Sequence, residues 1–136
     1  MISKKINVLI VSDGKRGHEK QSECLVQALQ KFLNIQHYKQ KPSLLKLLTN
    51  RMYSLFKKNI YAKNYDLIIG AGHQTHLSVI VSKIFYGGRT VVIMNPSLPL
   101  SWFDLCLIPR HDGVNEKSGV ILTDGALNNI LNKKKH

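Results

Sequence analysis

Twice in this sequence a strongly apolar run ends in glycines that open an amphipathic segment. Ile6–Val11 (INVLIV) leads into Gly14 and Gly17, with a helix following. Asp66–Ile69 (DLII) leads into Gly70, Ala71 and Gly72, with a second helix expected from about His73. Runs without polar alternation suit strands covered on both faces, the signature of a parallel sheet. Thr90–Met94, Asp104–Ile108 and Val120–Thr123 are further short runs, stopped by Asn95-Pro96, Pro109 and Asp124-Gly125. Leu25, Ala28, Leu29 and Phe32 mark the apolar face of the first helix, which stops near Asn34, and Ile35–Tyr38 reads as the next strand. Leu77, Ile80, Val81 and Ile84 mark the face of the helix after His73, ended by Gly87-Gly88. Pro42-Ser43 opens another amphipathic segment reaching Lys58, its Leu/Phe face suited to packing on the sheet. Strands alternating with helices predict an α/β domain: a mainly parallel sheet with right-handed crossovers and helices on both faces. Ile6–Val11, Asp66–Ile69 and Thr90–Met94 should be central.

A chain of 136 residues fits one domain with a core of its own. Residues 1–125 should form it, with 126–136 a basic tail or the start of a linker. Trp102 and Phe103 are expected to close the core beyond the fourth strand. Cys24 and Cys106 are far apart with no ligand-like spacing, as buried thiols of a reducing cytoplasm would be. No stretch approaches the ~20 apolar residues of a membrane span, and the run after Met1–Lys5 reads as a strand rather than a signal peptide. Lys and Arg number 20 against eight acids, a net charge of +12. Such a field attracts phosphate in nucleotides, nucleic acid or anionic lipid. The basic residues are scattered, and recognisable nucleic-acid reader motifs are absent, which argues against a nucleic-acid partner. The basic amphipathic segment 43–58 fits peripheral contact with an anionic membrane better.

In a parallel α/β sheet, ligands bind outside the carboxyl ends of the strands. Three turns should lie there. In Ser12–Glu19 (SDGKRGHE), Gly14 and Gly17 let backbone approach a phosphate, Lys15 and Arg16 add charge, and His18 can act as base or donor. The stretch is not a Walker A loop, since Gly17 is followed by His18. Gly70–Thr75 (GAGHQT) resembles GxGxxG with Thr in the third place. A dinucleotide reading is weak, because no acid ends the next strand near Asn95. What the turn offers is a helix N-terminus for an anion, with Gly70, Gly72, His73, Gln74 and Thr75 around it. A bulky residue at Gly72 should then block an anion while sparing the fold. His73 and His76 are three apart, but HExxH is absent and no matched ligands accompany them, so no metal is expected. Arg110 and His111 follow the fifth strand at the same edge.

Taken in order, SDGKRGHEKQS, DLIIGAGHQT, the strand ending Met94-Asn95-Pro96, FDLCLIPRHD and ILTDGA resemble the N-terminal half of the ELM family, annotated "mitochondrial fission ELM" and widespread in bacteria. The resemblance runs from Ile6 to about Ala126. Family members look like two-domain GT-B glycosyltransferases, whose Rossmann-like halves face a cleft. It implies a three-layer α/β/α domain like the N-terminal one of a GT-B fold. It further implies the acceptor-side half of a glycosyltransferase, inactive without the donor-binding half that a second domain or partner chain would supply. On this likeness His18 is the general base on an acceptor hydroxyl and Asp13 orients it. Gly14, Lys15, Arg16, Gly17, Gly72 and the His73–Thr75 helix start hold phosphate or acceptor, with Asn95, Arg110 and His111 further along. It implies no bound cofactor or metal, a nucleotide-sugar donor only in the two-domain form, and a cytoplasmic protein peripheral to the inner membrane. The other class left open is a non-catalytic domain that binds anions, nucleic acid or another protein.

Overall fold

The computed structural model describes residues 4–40 and 64–124. Its elements are β1 (Ile6–Val11), α1 (Arg16–Gln30), β2 (Ile35–Gln40), β3 (Leu67–Ala71), α2 (His73–Tyr86), β4 (Arg89–Ile93), β5 (Leu105–Pro109) and β6 (Val120–Thr123). Single 3-10 turns occur at Leu100–Trp102 and Arg110–Asp112. The segment 43–58 and the tail 126–136 lie outside the described residues.

All six strands are parallel, in the order β2-β1-β3-β4-β5-β6. Alternate strand residues feed two separate cores. Val8, Ile10, Ile69, Ala71, Val91, Ile93 and Leu107 pack with Leu25 and Val26 of α1. Leu9, Val11, Ile68, Val92, Cys106 and Ile108 pack with Val79, Ile80 and Tyr86 of α2. The two helices therefore cover opposite faces, as right-handed crossovers demand when β1 to β2 steps one way across the sheet and β3 to β4 steps the other. This is a doubly wound, Rossmann-like three-layer α/β/α domain. Its direction of winding reverses between β1 and β3, which pair from Val8↔Leu67 to Val11↔Gly70. A crevice forms outside the carboxyl ends of two strands at such a reversal.

Several local expectations are corrected. Gly70 and Ala71 belong to β3, and only Gly72 makes the turn. The buried side of α2 is Thr75, His76, Ser78, Val79 and Ser82, while Leu77 and Ile84 are exposed. Small side chains are needed inside because the helix lies close on the strand. A Cβ at Gly70 would sit 2.6 Å from Val79 Cγ2 and 2.8 Å from Thr75 Oγ1. At so close an approach the side chains nearest β3 stay small, so of the expected apolar face Leu77 and Ile84 look outward, while Ile80 still packs on the core beside Val79. Helix α1 ends at Gln30, leaving Phe32 beyond it and 84% exposed rather than in the apolar face. Phe103 is buried as expected, but Trp102 is 54% exposed.

Asp104 ties β4 to the start of β5. Its Oδ2 accepts from Thr90 N (2.8 Å) and from Lys83 Nζ (2.9 Å), and Asp104 N donates to Thr90 Oγ1 (3.0 Å). Burial pushes the carboxyl pKa up, but the bonds from Lys83 and Thr90 outweigh it and hold Asp104 below the usual carboxylate range.

Candidate functional site

The β1–α1 turn is built by its own side chains. Ser12, at the carboxyl end of β1, is buried; its hydroxyl donates to Glu19 and accepts from Gly14 N at 3.0 Å. Asp13 Oδ1 accepts from Lys15 N at 2.9 Å, folding the loop back over the strand end. Glu19 is held in turn by Lys39 of β2, which also pairs with Glu23. The hydrogen bonds from Ser12 and Lys39 draw the Glu19 pKa below its ordinary value.

This loop sets Asp13 against His18 across the start of α1. Asp13 Oδ2 and His18 Nδ1 lie 2.6 Å apart, with the Asp13 side chain 1% exposed and that of His18 24%. Burial raises the Asp13 pKa. The hydrogen bonds from His18 and Lys15 N, with the charges nearby, more than offset that, so the carboxyl lies below its ordinary value and is ionised at neutral pH. An ionised carboxylate only accepts, so in the neutral ring Nδ1 carries the proton and Nε2 keeps its lone pair. The floor under the pair is Gly72, at the end of β3. A Cβ there would lie 2.3 Å from His18 Nδ1 and 2.8 Å from Asp13 Oδ2, and Gly72 holds φ at +94°. Only glycine permits both that backbone and that approach. A replacement at Gly72 therefore strikes the fold and the Asp13–His18 pair together, contrary to the expected sparing of the fold.

The remaining sequence candidates sort by position. Gly14 and Lys15 are exposed on the same turn, Arg16 and Gly17 at the start of α1, and His73 and Gln74 at the start of α2. Among the described residues no side chain caps either helix. Gly70 and Thr75 do not face the crevice: Gly70 is buried in β3, and Thr75 Oγ1 donates to Gly72 O at 2.8 Å. Asn95 follows β4. Arg110 and His111 lie past β5, two strands from β3 and so about 10 Å across the sheet. There Arg110 Nε pairs with Asp124 (3.1 Å), and His111 lies 3.4 Å from Asp112.

Two features escaped the sequence. Met94, at the carboxyl end of β4, has φ +84°, a conformation rare for a residue with a Cβ. His76 is 0% exposed, and among the described residues neither ring nitrogen has a hydrogen-bond partner of good geometry. Its ring lies between those of His73 (5.7 Å) and Phe103 (5.8 Å). Burial, reinforced by the charge of His73, lowers its pKa to about 4; the main chain at Ile93 pulls the other way, and the charge of His18 adds a smaller lowering. His76 is thus neutral at physiological pH. The His-x-x-His spacing was visible in the sequence, but nothing in it says which ring faces inward. Among the described residues no group of three or more His, Cys, Asp or Glu side chains is arranged to hold a metal. No helix among them is long and apolar enough to cross a membrane.

Sheet order, winding reversal and a carboxylate–imidazole pair at that reversal define a Rossmann-like α/β domain with a polar site at its carboxyl edge. Within that class the chain belongs to the Mitochondrial fission ELM1 family, whose model matches residues 16–136. No curated protein and no solved structure matches it.

Proposed function

We propose that this chain is the acceptor-side half of a GT-B-like glycosyltransferase. His18 acts as general base on an acceptor hydroxyl, and Asp13 fixes its tautomer. The observation that carries the reading is the 2.6 Å Asp13–His18 contact on Gly72, at the switch between β1 and β3. A neutral imidazole with Nδ1 tied to a carboxylate presents Nε2 as acceptor for a hydroxyl proton, the arrangement a base needs. The basic turn Lys15-Arg16 and the α2 start beside it suit a phosphate carried by the acceptor. The nucleotide-sugar donor belongs to a second domain or partner chain, so this chain has no turnover alone.

Calorimetry with UDP-, GDP- and ADP-sugars tests the division of labour. Weak or absent heat is expected from this chain, and tight donor binding would reject the half-enzyme reading. Joined to a donor half that supports transfer, His18→Gln should lower kcat by ~10²–10⁴ with KM for the donor little changed. Undiminished transfer would remove His18 from the role of base.

A further inference from the structure

At the end of the sheet opposite the crevice, roughly 20 Å away along the strands, the chain exposes a patch that is both apolar and basic. Helix α1 ends at Gln30, and the turn Lys31–Asn34 carries it to β2. Phe32 at that turn is 84% exposed, and Leu33 beside it is exposed as well. Ile6 N donates to Asn34 O at 2.8 Å, which brings the exposed Lys4 and Lys5 against the same turn. Lys31, in the turn itself, is exposed too. The row continues across the sheet: Asp66 N donates to Asn7 O at 2.8 Å and Arg89 N to Asp66 O at 3.0 Å. The amino ends of β2, β1, β3 and β4 thus stand side by side, with Lys4, Lys5, Lys31, Lys83 and Arg89 against two acids, Asp66 and Asp104, the latter paired with Lys83. The Asp66 carboxylate already accepts from Asn7 N.

We infer that this amino edge docks on an anionic lipid bilayer, with Phe32 and Leu33 entering the headgroup region and Lys4, Lys5 and Lys31 lying on its phosphates. The chemistry favours a bilayer over the other partners of a basic surface. Two adjacent large apolar side chains at the tip of a chain reversal form a wedge, not a pocket, and insertion beside headgroups suits a wedge. Lysine is depleted from the buried centres of protein interfaces, whereas each lysine near an anionic surface adds attraction. Single-stranded nucleic acid needs a groove with several stacking rings, and this patch has one ring. The docking does not depend on the glycosyltransferase reading. It would turn the crevice away from the membrane.

The test is flotation of the full chain with phosphatidylcholine vesicles, with and without phosphatidylglycerol, at low and high salt. The parent should float only with the anionic vesicles, and less at high salt. Phe32→Ser with Leu33→Ser should lower partitioning about tenfold or more. Lys4→Glu, Lys5→Glu and Lys31→Glu together should lower it about a hundredfold. All five positions are exposed, so circular dichroism melts should match the parent. Trp102 is the sole tryptophan, so Phe32→Trp in a Trp102→Phe background gives a single reporter. Its emission should shift to the blue on adding anionic vesicles. A parent that does not float, serine or glutamate variants that float like the parent, or a reporter that does not shift would each overturn the inference. So would a gel shift with random RNA that the Phe32→Ser variant abolishes while vesicle flotation stays unchanged, which would assign the patch to nucleic acid.

Discussion

The Asp13–His18 pair depends on a hydrogen bond that only an ionised carboxylate can accept from Nδ1. Asp13→Ala removes the acceptor, and the neutral ring should return toward the Nε2–H form that free histidine favours. Nitrogen-15 shifts of the imidazole report the change; a ring that keeps Nδ1–H in the variant would show that Asp13 does not set the tautomer. Gly72→Ala acts on the same atoms from below. Its Cβ would meet His18 at 2.3 Å while the backbone keeps φ +94°. The expected cost is ~1–3 kcal/mol of backbone strain, with a changed His18 signature, read by urea melts and the same spectra. A variant as stable as the parent with an unmoved ring would refute the close contact.

Among the elements, α2 is held by how near it comes to β3. Gly70→Ala adds one methyl where Val79 and Thr75 already stand, so α2 must lift or the strand must shift. Overpacking of this kind costs ~1–3 kcal/mol. Val79→Ala should recover part of that loss in the double variant, although alone it destabilises by emptying a fully buried position. Strictly additive losses in a double-mutant cycle would mean that the two side chains do not meet. The exposed side of α2, with Leu77 and Ile84, is tolerant by the same geometry: Ile84→Lys should leave the melt nearly unchanged.

At the scale of the molecule, acid should unfold the protein earlier than its basic composition suggests. His76 takes up a proton near pH 6.5 when unfolded but only near pH 4 when folded. The unfolded state therefore binds more protons between those values. The stability from keeping His76 neutral is complete above about pH 6.5 and declines as pH falls toward 4. The loss approaches ~3 kcal/mol for this group. Asp13 and Asp104, both held below the ordinary carboxylate value, add to it as pH falls through the carboxylate range. Urea melts across this range should show stability falling with acid, and His76→Leu should flatten the upper part of the curve. An unchanged slope in that variant would show that His76 is not the group responsible.

The order and kind of the elements follow from the sequence because they rest on local physics. Apolar runs of five or six residues broken by Gly, Pro and Asn can do little else than form strands, and Ile6–Val11 and Val120–Thr123 have the bounds expected of them. The amphipathic period located α1, and the Gly87-Gly88 pair ended α2. The basic turn with His18, and the likeness of its motifs to the ELM family, were equally legible. Three things were decided only by the tertiary structure. Which side of α2 faces inward depends on the distance between helix and strand, and a hydrophobic pattern carries no distance. The contact of Asp13, His18 and Gly72 depends on β1 and β3 being neighbours, a fact of strand order. The solvation of Phe32 and the burial of His76 depend on where each element stops and what lies over it. Local propensity writes the strands, turns and helices, but a site made of residues 13, 18 and 72 exists only once the winding of the sheet brings two distant turns to one crevice.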